Sequence, residues 1–184
     1  MKTHPYILDI VKNRRFIFIY GPPGSGKTRL GVHLARVSST LGLNPITIGT
    51  EAGSSLAFRV FGEGAMIAVT LDDMVKKIAN AVLNNKYVIV DTINSLYRGD
   101  PDYYSRSLLA LSCSLLRLKG GLALGQASEI NGKITSPGYK IIGKYSDIIG
   151  QLIKASDNKF VLKFIKPSKR IVAYRILEDD VEWL

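Results

Sequence analysis

A chain of 184 residues with 46% hydrophobic and 22% charged residues has the proportions of an ordinary globular protein and the length for one compact core, so a single domain over residues 1–184 is expected. No apolar run approaches the ~18 residues that cross a bilayer and no signal peptide is legible, which excludes a membrane-spanning role. The net charge of +10 favours polyanionic partners, which are captured by counterion release.

The single cysteine, Cys113, has no partner for a disulfide, so a reducing, cytoplasmic interior is expected. The positive charge is concentrated late in the chain. Between Glu129 and Arg175 stand ten Lys or Arg residues, opposed by Glu129, Asp147 and Asp157 alone. That distribution points to nucleic acid.

In chain order, Phe16 to Tyr20 reads as a buried strand that breaks at Gly21-Pro22-Pro23-Gly24. A helix follows from Lys27 to Leu41, with Leu30, Leu34, Val37 and Leu41 on one face and Gly42 as terminator. Ile46 to Gly49 and Met66 to Val69 read as strands. Thr70 and Asp73 mark the start of a helix that carries Met74, Ile78, Ala81 and Val82 inward and ends near Asn84-Asn85. Tyr87 to Val90 is apolar throughout, as a strand covered on both faces must be, and stops at Asp91. A helix over Tyr103 to Lys119 and a strand over Gly121 to Leu124 come next.

Gly132, Pro137, Gly138 and Gly143 then punctuate a polar, basic stretch that reads as a long loop. Three strands close the chain, Ile148 to Ile153, Phe160 to Ile165 and Ile171 to Ile176, separated by turn signals and therefore antiparallel. Strands alternating with helices and ending in a meander predict an α/β fold. Its mostly parallel sheet is flanked by helices and extended by antiparallel strands at one edge.

The stretch GPPGSGKT, residues Gly21 to Thr28, satisfies the phosphate-loop pattern and sits between a predicted strand and a predicted helix. Gly21, Pro22, Pro23, Gly24, Ser25 and Gly26 form the loop, whose amides turn inward around phosphate oxygens. Lys27 reaches the outer phosphates, Thr28 ligates magnesium through its hydroxyl, and Arg29 extends the nucleotide-contacting stretch. ATP with Mg2+ is the expected cofactor. Asp91, at the end of an apolar strand, is placed to hold magnesium through water. Glu51 follows a strand in the same way and is the candidate general base for an attacking water. Gln126 lies just past another strand, where its amide can sense the terminal phosphate and pass that information to the basic stretch beyond.

The order of these residues resembles the RecA/RadA recombinase core, especially its short archaeal RadA paralogs of the RadB type. The phosphate loop is followed by a strand ending in Thr50-Glu51. Next come VIVDTINSLYR, ending in Arg98, the strand LALGQ, and SPGYKIIGKYSDIIGQL, similar to the segment after the family's second DNA-contacting loop. The resemblance covers nearly the whole chain. It implies a RecA-like ATPase core without the recombinase's helical N-terminal domain, since about fifteen residues precede the first strand.

It further implies DNA, single- or double-stranded, as a partner, with a recombinase and homo- or hetero-oligomeric assembly as further expectations. The first DNA loop would correspond to Arg98 through Arg106, including Tyr103 and Tyr104. The second would run from about Ala127 to Lys144, where Lys133, Lys140 and Lys144 are the cations. RecA-like ATPases resemble one another in sending a basic residue across to a neighbour's nucleotide. Lys166 is the first candidate for that residue by similarity to the KaiC pattern, with Lys163 and Arg170 open as alternatives. A KaiC-like signalling ATPase acting on protein partners uses the same parts and is the competing reading.

Overall fold

The computed structural model describes residues 3–51, 64–97, 101–130, 133–178 and 180–184. Its strands in chain order are β1 (Phe16–Gly21), β2 (Pro45–Gly49), β3 (Ala65–Ile67), β4 (Tyr87–Asp91), β5 (Gly121–Gln126), β6 (Ser128–Ile130), β7 (Lys133–Thr135), β8 (Ile148–Ser156), β9 (Lys159–Lys166), β10 (Arg170–Ile176) and β11 (Val181–Trp183). The helices are α1 (Pro5–Lys12), α2 (Lys27–Thr40), α3 (Leu71–Leu83), α4 (Tyr103–Lys119) and α5 (Tyr139–Tyr145).

The main sheet runs β11-β10-β9-β8-β1-β5-β4-β2-β3. From β8 to β3 all neighbours are parallel, whereas β9, β10 and β11 join antiparallel at the far edge. This is the mixed α/β arrangement expected of a RecA-like core. Strand alternation explains how both faces are covered. On one face Phe16, Phe18 and Tyr20 of β1, Val88 and Val90 of β4 and Ala123 of β5 pack beneath α3, α4 and α5. On the other, Ile17, Ile19, Ile89, Leu122 and Leu124 meet Ile7 and Ile10 of α1 and Leu30, Leu34 and Val37 of α2. Strands covered on both faces have no polar positions to spare, which is why β1 and β4 read as unbroken apolar runs.

Local chemistry sets the element boundaries. Thr70 caps α3 by accepting the Asp73 N–H at 3.1 Å, and Asp73 reaches back to the Val69 N–H at 3.1 Å. Asp102 caps α4 through the Ser105 N–H at 2.7 Å.

The structure adds five elements to the sequence reading, in three places along the chain. Helix α1 begins at Pro5, with His4 Nδ1 accepting the Tyr6 N–H at 3.2 Å, and buries Ile7, Ile10 and Val11 at helical spacing. Strand β11 pairs Val181, Glu182 and Trp183 with Ile176, Arg175 and Tyr174. The stretch read as a loop after β5 instead folds into the β6–β7 hairpin and helix α5. Its glycines misled the reading: Gly138, at φ +73°, is the left-handed cap from which α5 starts. No helix among the described residues is long and apolar enough to cross a membrane.

Candidate nucleotide site and the adjoining basic groove

β1 ends at Gly21 on the carboxyl edge of the parallel strands, and the chain turns through Pro22 to Gly26 into α2. Gly24 and Gly26 hold φ values of +73° and +82°, where residues with a Cβ are strained. A Cβ at Gly21 would meet the Leu152 carbonyl oxygen at 2.4 Å, so the first turn admits only glycine. Gly26 is the N-cap of α2 and no side chain caps that terminus, which leaves the amides of the first turn for an anion. Lys27 folds along the loop, donating to the Gly21 and Pro22 carbonyls at 2.9 and 2.8 Å. An ammonium held in that way lies where phosphate oxygens would enter.

Three further segments meet in front of the loop. A cleft of about 170 Å³ is lined by Lys27, Thr28, Glu51, Asp91, Thr92 and Gln126, together with Pro23 and Gly24. The parallel strands β2, β4 and β5 all end at this edge, which is why residues far apart in sequence share it. Thr28 and Asp91 line the cleft side by side. Burial pushes the Asp91 pKa up, the Thr28 hydrogen bond and the Lys27 charge pull it down, and the Glu51 charge raises it again.

A hydroxyl and a carboxylate side by side are the hard oxygen donors that suit magnesium. That ion keeps several waters and takes only one or two protein ligands beside phosphates. Among the described residues no cluster of three or more His, Cys, Asp or Glu residues suits a metal, so phosphate oxygens and waters would have to complete a shell begun by Thr28 and Asp91. The donor set therefore fits.

Thr50 ties the ends of β2 and β4 together. Its hydroxyl donates to the Thr92 carbonyl at 2.6 Å and accepts the Thr92 N–H at 2.9 Å. Its own N–H donates to the Asp91 carbonyl at 2.9 Å. Glu51, the next residue, is thereby held at the cleft.

No family model matches the chain. It is similar to the DNA repair and recombination protein RadB of Methanosphaera stadtmanae, with 27% identity over 174 residues, covering 76% of this chain and 72% of that protein. The likeness supports membership of the RecA/RadA family. A mixed sheet with antiparallel strands at one edge is consistent with that RecA-like core.

Beside the nucleotide cleft, on the face covered by α4 and α5, lies a larger groove of about 860 Å³, walled by Tyr20, Tyr97, Tyr139 and Ile134 with Arg106 and Lys140 at its rim. Two of the RecA-type DNA-loop candidates, Arg106 and Lys140, thus come together from different segments. Lys144 is exposed on α5, and Tyr103 is 86% exposed at the start of α4. Arg98 lies outside the described residues, and of Lys133 only the backbone, at the start of β7, is described.

Arg29 donates to the Glu178 carbonyl and so links α2 to the segment before β11. Lys166 points its ammonium at the Gly143 and Ser146 carbonyls of its own chain. Arg170 lies over the Tyr6 ring at 4.3 Å, and Lys163 is exposed on β9. The sequence reading passed over Thr50 as a donor and over Asn94 altogether. Asn94 is fully buried and bonded to Gln126, Ser136 and Pro137, and nothing in the polar stretch Asp91-Thr92-Ile93-Asn94-Ser95 set it apart from an ordinary turn residue.

Proposed function

We propose that the chain is an ATP-binding and ATP-hydrolysing RadA paralog of the RadB type that binds DNA and assists homologous recombination or repair. The observation that carries this reading is the convergence of Lys27, Thr28, Glu51, Asp91 and Gln126 on one cleft at the carboxyl edge of the sheet. The cleft divides the chemistry of phosphoryl transfer among them. The α2 amides and the Lys27 ammonium bind the phosphates and neutralise charge as it develops on them. Thr28 and Asp91 would hold the magnesium ion, which polarises the phosphate oxygens when bound. Glu51 orients a water and accepts its proton. Gln126 contacts the terminal phosphate from the end of β5.

DNA binding is supported by the net charge of +10 and by the tyrosine-walled groove with its cationic rim. Cations track the phosphates, and Tyr139, the half-buried ring of the three, is the one open to a stacked base. Hydrolysis is completed by a cation from a neighbouring copy, and Lys163, Lys166 and Arg170 are the candidates. Lys163 is the best presented of the three, since the other two are engaged within the chain.

The test is ATP turnover with and without single- and double-stranded DNA across a range of protein concentrations at low salt. Turnover that rises with DNA and with protein concentration is expected. Turnover indifferent to DNA would transfer support to the KaiC-like reading, in which the partner is a protein.

A further inference from the structure

Asn94 is completely buried, and its side-chain amide joins the end of β5 to the segment that follows the β6–β7 hairpin. Its Oδ1 accepts the Gln126 N–H at 2.9 Å. Its Nδ2 donates to the Gln126 carbonyl at 2.8 Å, to Ser136 Oγ at 3.0 Å and to the Pro137 carbonyl at 3.2 Å. The Ser136 hydroxyl closes the ring by donating to the Gln126 carbonyl at 3.1 Å. The orientation of the amide is forced, because the Gln126 N–H can only donate and must face the oxygen.

An amide nitrogen has two hydrogens, and here three acceptors compete for them. One acceptor lies on the residue that faces the cleft. The other two lie where the chain leaves the β6–β7 hairpin and enters α5, whose Tyr139 and Lys140 belong to the groove. A displacement of Gln126 therefore changes which acceptors are served, and the buried setting makes each choice costly, since an unserved polar group there has no water to turn to.

We infer that Asn94, with Ser136, is a positioning pair that transmits the state of Gln126 to the β6–β7 hairpin and the start of α5. The inference rests on the nucleotide reading of the cleft and names how that site is regulated. Neither residue touches nucleotide; both act through the main chain of Gln126. Transmission by a two-arrangement hydrogen-bond switch is reciprocal, so whatever occupies the groove also changes nucleotide affinity by the same factor.

The experiment is hydrogen exchange of the full chain with and without magnesium and a non-hydrolysable ATP analogue, read on peptides covering β6, β7 and Ser136-Pro137, with calorimetry of the same analogue. In the unaltered protein, exchange of these peptides slows by about fivefold on binding, the lower end of ordinary allosteric couplings. Ser136→Ala keeps analogue affinity within about twofold, because Ser136 does not line the cleft, but loses most of the hairpin response, because both neutral hydrogen bonds of its hydroxyl are removed. Ser136→Thr, which retains the hydroxyl, restores the response. Asn94→Ala removes every bond of the set except the one from Ser136 to the Gln126 carbonyl and loses the response as well; should it not fold, the two Ser136 variants decide alone.

A response that survives Ser136→Ala overturns the inference, as does a loss of response that Ser136→Thr does not reverse or that comes with lost analogue affinity. An unaltered protein that binds the analogue with no change in the hairpin overturns the inference and leaves the nucleotide reading standing. Failure to bind the analogue at all removes both.

Discussion

Lys27 and Glu51 face the same cleft but carry different parts of the proposed chemistry, so their removal should have separable consequences. Lys27 supplies a charge that the bound phosphates feel before and during reaction. Lys27→Ala is expected to weaken nucleotide binding by about 10- to 100-fold, the worth of one or two charge-assisted hydrogen bonds, as measured by calorimetry. Glu51→Gln keeps size and polarity and removes only the ability to take a proton. Affinity should stay within about threefold while turnover falls by about 100-fold or more, the usual contribution of a general base. Equal losses of affinity in the two variants would refute the division of labour.

At the scale of elements, the carboxyl-terminal strand β11 is fastened to the phosphate-loop helix α2 through one histidine. His33, on α2, is fully buried. Its Nε2 accepts the Trp183 indole N–H at 3.1 Å, so that nitrogen carries no proton, and Nδ1–H donates to Asp180 at 2.5 Å. Burial is the largest influence on this imidazole and holds its pKa below the ordinary 6.5. The hydrogen bond and charge of Asp180 oppose that shift, while the Arg36 charge reinforces it.

The unfolded chain therefore binds this proton more readily than the folded one. The associated stability is present above pH 6.5 and is lost as the pH falls from there through the lower folded value. The melting temperature should drop more between pH 7.5 and 5.5 in the unaltered protein than in His33→Gln. Trp183, the chain's one tryptophan, gives a fluorescence signal that should change over the same interval. A parallel drop in both proteins would exclude His33 as the source.

The whole molecule places the proposed nucleotide cleft and the tyrosine-walled groove side by side. If the groove holds a single strand, Arg106 and Lys140 each neutralise a phosphate. Replacing either by alanine should then lower the dependence of log affinity on log salt by about 0.7. Titration of labelled single-stranded DNA at several salt concentrations measures this, and an unchanged slope in both variants would move the DNA surface elsewhere.

The sheet architecture and the phosphate loop were legible in the sequence because each is written in consecutive residues: a strand buried on both faces is an apolar run, and a loop that cradles phosphate needs glycines at fixed spacing. Strand ends carried Glu51, Asp91 and Gln126 to one edge for the same reason, since parallel strands align their carboxyl ends. What sequence left undecided depended on partners distant along the chain. The glycine-rich stretch after β5 became a hairpin and a helix only through packing against β1 and α4, as in the contacts of Phe18 and Tyr20 with Tyr139. Asn94 acquired its meaning from Gln126 and Ser136, 32 and 42 positions away, and Trp183 acquired its own from His33, 150 positions away. Local periodicity reports which face of an element is buried, but a hydrogen bond between buried groups is specified only when the folded chain brings both to the same place.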